Sequence, residues 1–146
     1  MKDCITTYTK IKFDTMNPVA ANVAIEDIAH ALTMIPRANG HFPEFFSVAQ
    51  HCIQCCDEAL ERNYSPRVAM ACLLHDASEA YLSDVTRPVK KNMTMYLQIE
   101  EQVQNIVYEK YLGSLPTEKE EELIHNIDDG CLYYEFKFFM GECLFP

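Results

Sequence analysis

The chemistry-bearing residues gather in one stretch, Val68 to Asp84. It begins as an uncharged apolar run from Val68 to Leu74. It then sets an imidazole beside a carboxylate at His75-Asp76, and two further acids follow at Glu79 and Asp84. Burying an unpaired charge costs several kcal/mol, so an ionisable pair at the end of an apolar segment needs a partner. A divalent metal ion satisfies both a neutral imidazole and a carboxylate. On a helix, His75 and Asp76 point about 100° apart. They reach a common ion only if it lies off the helix flank, in a gap that other helices supply with ligands. His51 and Asp128 are the candidates for those further ligands. His51 shares a helical face with Val48, Cys52 and Cys55, and Asp128 interrupts the apolar series Ile124, Ile127, Cys131, Leu132. Two imidazoles and two carboxylates form a mixed nitrogen and oxygen set, which suits Mn, Fe, Co, Ni or Zn better than Ca.

Each residue also has a plainer reading. A His on an inward face can be a hydrogen-bonded core histidine. His75-Asp76 can be a helix end with an internal hydrogen bond. Asp129 can replace Asp128 as the inward acid if the helix phase differs. Glu79 lies one turn after His75, where it could orient or deprotonate a water, and Asp84 falls beyond the expected helix end. Both could equally be surface acids.

The elements that must carry these residues read as helices. Ile25, Ile28, Ala29, Leu32 and Ile35 predict a first helix, stopped by Pro36. A loop follows over Arg37-Ala38-Asn39-Gly40-His41-Phe42-Pro43. Ser47 is a candidate N-cap for a helix running to about Arg62, with Ile53 and Cys56 widening its inward face. Ser65-Pro66 opens a third helix that runs through Leu74 into His75-Asp76. Arg87-Pro88 breaks the chain. A fourth helix covers Thr94 to Leu112, closed by Gly113. Thr117-x-x-Glu120 is a capping box for a fifth. Residues 6 to 17 predict a short extended arm or hairpin.

Size and composition agree with this layout. A chain of 146 residues is one domain, 1–146, and its 4 glycines argue against a turn-rich β architecture. The fold class is therefore all-α, a compact bundle of five or more helices. A net charge of −10 disfavours a long nucleic acid as partner. Seven cysteines, an odd number set mostly in apolar runs, point to a reducing cytoplasm. Cys52-x-x-Cys55 has no second such pair, so it reads as small buried hydrophobes. The start of the chain has no apolar core of a signal peptide, and no run reaches the ~18 apolar residues of a membrane span. Phe136, Phe138, Phe139 and Leu144 read as core or as a homodimer face.

His51, then His75-Asp76, then Asp128 resembles the H…HD…D pattern of the HD-domain metal-dependent phosphohydrolases. His75-Asp76-Ala77-Ser78-Glu79, with Asp84 and then Pro88-Val89-Lys90, is similar to the 5′-deoxyribonucleotidase-like branch. So are the Arg37–His41 loop and Ser47-Val48-Ala49-Gln50-His51. The likeness runs from about Thr6 to Met140. It implies an HD-domain helical bundle in which His51, His75, Asp76 and Asp128 bind one divalent transition metal. It implies that Glu79 and Asp84 activate and position the attacking water. Arg37 would hold the phosphate of a small nucleotide, with Arg87 and Lys90 as further candidates. One departure is Ala38, where that branch carries a bulky aromatic that excludes a ribose 2′-hydroxyl. Another is Glu79-Ala80, where guanosine-tetraphosphate hydrolases carry Glu-Asp. A second metal would have to draw on His41 and His125. The alternative is an HD module that binds metal and nucleotide without turnover, as a sensor or interaction domain.

Overall fold

The computed structural model describes residues 3–144. It is an all-α bundle with one two-stranded antiparallel sheet, Ile5–Thr6 (β1) with Lys12–Phe13 (β2). The helices are Ile25–Met34 (α1), Val48–Glu61 (α2), Pro66–Leu74 (α3), Glu79–Leu82 (α4), Arg87–Lys90 (α5), Thr94–Leu112 (α6) and Glu118–Met140 (α7). Among the described residues no helix is long and apolar enough to cross a membrane.

Local chemistry sets the boundaries. Ser47 caps α2 in a reciprocal pair with Gln50, and Thr117 caps α7 in the same way with Glu120. The Ser65 side chain accepts from Val68 N, with Pro66 in the first turn of α3. Gly113 ends α6 in the left-handed region that its missing Cβ permits. Helix α2 packs on α3, and α7 closes over both. Val48, Cys55, Cys72, Val103, Val107 and Ile127 meet in the shared core. The N-terminal hairpin is part of that core, because Phe13 is buried and stacks on Tyr81 of α4 with ring centroids 3.9 Å apart.

The structure corrects several sequence expectations. The third helix stops at Leu74, so His75 and Asp76 lie in a turn and α4 restarts at Glu79. Arg87-Pro88 does not only break the chain; it opens the short α5, since proline suits a first turn. Ile25, Ala29 and Ile53 are exposed, and the buried polar residue of α1 is Asp27, whose carboxylate accepts from Thr9 N and Oγ1. The C-terminal aromatics divide. Phe42 stacks on Phe139 and meets the edge of Phe136, whereas Phe138 is 81% exposed and Leu144 also lies at the surface.

Candidate metal centre

The break between α3 and α4 determines where His75 and Asp76 point. A broken helix leaves backbone groups without partners. Ala77 N donates to Leu74 O at 2.9 Å within the turn, and Gln104 of α6 reinforces it: its Nε2 also donates to Leu74 O at 2.8 Å, and its Oε1 accepts from Ser78 N at 3.0 Å. The His75-Asp76 turn is thereby clamped from a neighbouring helix. His51 enters from α2 and Asp128 from α7, and the four side chains meet in the gap the break opens. His51 Nε2 lies 2.9 Å from Asp128 Oδ1 and 3.6 Å from Asp76 Oδ2. His75 Nε2 lies 3.2 Å from Asp128 Oδ1 and 3.3 Å from Asp76 Oδ2. Bond lengths of about 2.1 Å to a central ion put neighbouring ligand atoms roughly 3.0 to 3.4 Å apart, from octahedral to tetrahedral angles. The observed imidazole–carboxylate separations bracket that range; His51, His75 and Asp128, with Cys55, form a group that could hold a metal ion, and Asp76 joins His75 in a second such group with Cys52. Asp129 is not the inward acid; its carboxylate pairs with Arg87 and His125.

Both imidazoles are oriented from behind. His75 Nδ1 donates to Cys72 O at 2.6 Å, and His51 Nδ1 hydrogen-bonds with Glu135 Oε2. Each ring therefore presents Nε2 to the carboxylates, the arrangement that metal-ligating histidines adopt. Two Nε2 lone pairs facing carboxylate oxygens repel unless positive charge lies between. Without metal, protons provide it. Burial opposes a charge on His75, but Asp76 and Asp128 outweigh burial and carry its pKa up to about 9. His51 is likewise raised, its burial outweighed by Asp128 and Glu135. Asp128, despite burial, is held well below the usual carboxylate range by the two imidazoles. A divalent ion replacing two such protons leaves the charge of the site unchanged.

Beside this cluster lies a cleft of about 400 Å3, lined among others by Arg37, Asp76, Glu79, Asp84, Lys90 and Asp128. Arg37 is placed by the strand-like bridge between Pro36 and Ser47, where Arg37 N donates to Phe46 O at 2.7 Å. The loop it opens is strained, since Ala38 and Asn39 both have positive φ, at 53° and 52°. Glu135, 3% exposed, accepts from Arg37 Nε and Nη2 at 3.0 Å while its other oxygen meets His51. One carboxylate thus braces both a candidate ligand and the nearest cation. Glu79 is buried and hydrogen-bonds with Asp84; burial, Asp76 and Asp84 push its pKa well up from the usual carboxylate range. Tyr96 Oη donates to Ser83 O at 2.9 Å and fixes the turn that carries Asp84. Lys90 is held by Glu100 at 3.0 Å, and half-exposed Arg87 by Asp128 and Asp129.

The structure therefore brings His51, His75, Asp76 and Asp128 together, and lines the adjoining cleft with Arg37, Glu79, Asp84, Arg87 and Lys90 as well as Asp76 and Asp128. A second cleft, about 310 Å3, shares Asp76, Lys90 and Asp128 with the first. His41 is not among the residues lining either cleft, and His125 lines only the second. Gln104 was not singled out from sequence, and Glu135 entered only through its spacing after Asp128, with no role of its own. Glu135 had a signal, being a further acid on the stripe of Asp128 and Cys131, whereas Gln104 had none.

No family model matches the chain. It is similar to YfdR, an uncharacterised protein of Escherichia coli K12, with 37% identity over 90 residues, 62% of this chain and 48% of that protein. It is also similar to an uncharacterised protein of Rhodobacter capsulatus, with 31% identity over 106 residues, 68% of this chain and 54% of that one. The chain spans about half the length of the curated relatives it matches.

Proposed function

We propose that this chain is a metal-dependent phosphohydrolase of the HD-domain type, cleaving a phosphomonoester of a small nucleotide-like molecule by water attack. The observation that carries this reading is the convergence of His51 and His75 on Asp76 and Asp128, with imidazole–carboxylate separations of 2.9 to 3.6 Å, beside a cleft that is also lined by three cationic side chains and the hydrogen-bonded pair Glu79 and Asp84.

A divalent transition ion such as Mn, Co, Fe, Ni or Zn, held by those four residues, supplies charge that polarises the phosphoryl group and favours ionisation of a water. Arg37 receives the phosphate oxygens. Its guanidinium has more N–H donors than Glu135 occupies, and a guanidinium matches phosphate geometry. Lys90 and Arg87, which also line the cleft, add further positive charge. The Glu79–Asp84 pair takes the proton of the attacking water and returns one to the departing alkoxide, so one proton serves both halves of the reaction. Phe42, Leu132 and Phe136 give the same cleft an apolar part of its lining, which suits a flat organic group attached to the phosphate.

The test is phosphate release from a panel of nucleoside monophosphates and simple phosphomonoesters with Mn or Co. Turnover is expected in the native chain, with loss of bound metal in His75→Ala. Glu79→Gln is expected to keep the metal and lose about 100-fold or more in kcat. Absence of turnover across the panel, with stoichiometric metal bound, overturns the proposal.

A further inference from the structure

A fifth donor stands beside the four. Cys55 follows His51 by one helical turn on α2 and is completely buried. Its Sγ lies 3.5 Å from His51 Nε2, the nitrogen that faces the carboxylates. One ligand atom each from His51, Cys55, His75 and Asp128 falls within 4.8 Å of the others. Bond lengths of roughly 2.0 to 2.1 Å to nitrogen and 2.3 Å to sulfur, at a tetrahedral angle, put the two atoms about 3.5 Å apart. The observed spacing is that of two ligands on one tetrahedral ion. Cys131 of α7 hydrogen-bonds with Cys55 and braces the sulfur from behind, as Glu135 and Cys72 O brace the imidazoles.

Resting on the metal-centre reading above, we infer that this site takes thiophilic ions, zinc and cadmium, with Cys55 Sγ as a ligand alongside His51, His75 and Asp128. Soft thiolate donors favour such ions over Mn, which prefers oxygen. The centre then has two modes within one set of side chains. Oxygen-preferring ions sit with Asp76 and Asp128 between the imidazoles, and thiophilic ions draw in the sulfur. Coordination forms the sulfur–metal bond and breaks the S–H bond, the proton leaving to solvent, with no change of oxidation state.

Cobalt(II) reports the ligand type directly, because thiolate ligation adds an intense near-ultraviolet charge-transfer band that nitrogen and oxygen ligands do not give. The full chain, stripped of metal and titrated with Co(II), is expected to show that band saturating at one equivalent. Cys55→Ser and Cys55→Ala should bind cobalt without it. In chelator competition, both variants should lose about tenfold or more in affinity for zinc and retain that for manganese. A saturating cobalt spectrum with no sulfur band in the native chain overturns this inference and leaves the phosphohydrolase reading standing. Failure to bind cobalt, zinc or manganese at all overturns both. The native spectrum decides the matter even if neither variant folds.

Discussion

At the scale of single residues, the centre depends on side chains that would not touch the ion. Glu135 is the clearest. It fixes His51 through Nδ1 and anchors Arg37, so one buried carboxylate sets both a ligand and a phosphate-binding group. Glu135→Gln should keep the fold and weaken metal binding by about 10- to 100-fold, measured by chelator competition; unchanged affinity would show His51 to be oriented by packing alone. The raised His75 pKa fixes a pH dependence with a definite sign. In the metal-free chain the folded value, about 9, exceeds the unfolded value of ~6.5. The stabilisation is complete below the lower value and is lost as pH rises through the upper one. Calorimetry in chelator should therefore show the melting temperature falling between about pH 6.5 and 9. Metal affinity should rise across the same interval, as protons cease to compete. A flat profile in chelator would mean that His75 is neutral in the empty site.

At the scale of elements, the deciding feature is a helix that stops early. The apolar run to Leu74 and the polar residues after it were legible in the sequence, and so were the caps Ser47, Ser65 and Thr117, because capping rests on local hydrogen bonds. The stop itself was not. Nothing between Leu74 and Glu79 is a strong helix breaker; the turn persists because Gln104, distant in the chain, hydrogen-bonds with Leu74 O and Ser78 N. Single-residue spacing cannot reveal a tertiary clamp. The same limit hid Glu135, whose partners Arg37 and His51 lie on other elements, although its place on the Asp128 stripe was visible. The four candidate ligands were legible because each put a polar group where apolar periodicity expects none. Gln104→Ala should cost about 1–3 kcal/mol, since it leaves Ser78 N unsatisfied and takes one of two donors from Leu74 O. It should also weaken metal binding, since His75 and Asp76 lose their fixed turn. Denaturant unfolding and metal titration together check it. A loss of stability with undiminished affinity would separate the turn from the site.

At the scale of the whole molecule, the N-terminal segment that reads from sequence as a short extended arm or hairpin is a hairpin joined to the core. Phe13 is fully buried against Tyr81, and Tyr81 shares α4 with Glu79. Phe13→Ala should cost about 3–5 kcal/mol, a large fraction of the 5–15 kcal/mol typical of a domain. Urea unfolding should show it as a shifted midpoint at an unchanged slope. A cost below about 1 kcal/mol would mean that the hairpin is an appendage after all.

The left-handed residues at Ala38 and Asn39 carry a different lesson, about how this chain would respond to selection. A non-glycine residue in that conformation costs about 1 kcal/mol or more. Glycine at either place relieves the strain and also frees the backbone on which Arg37 is mounted. Breeding this protein for heat resistance and breeding it for speed would therefore pull the same two codons in opposite directions.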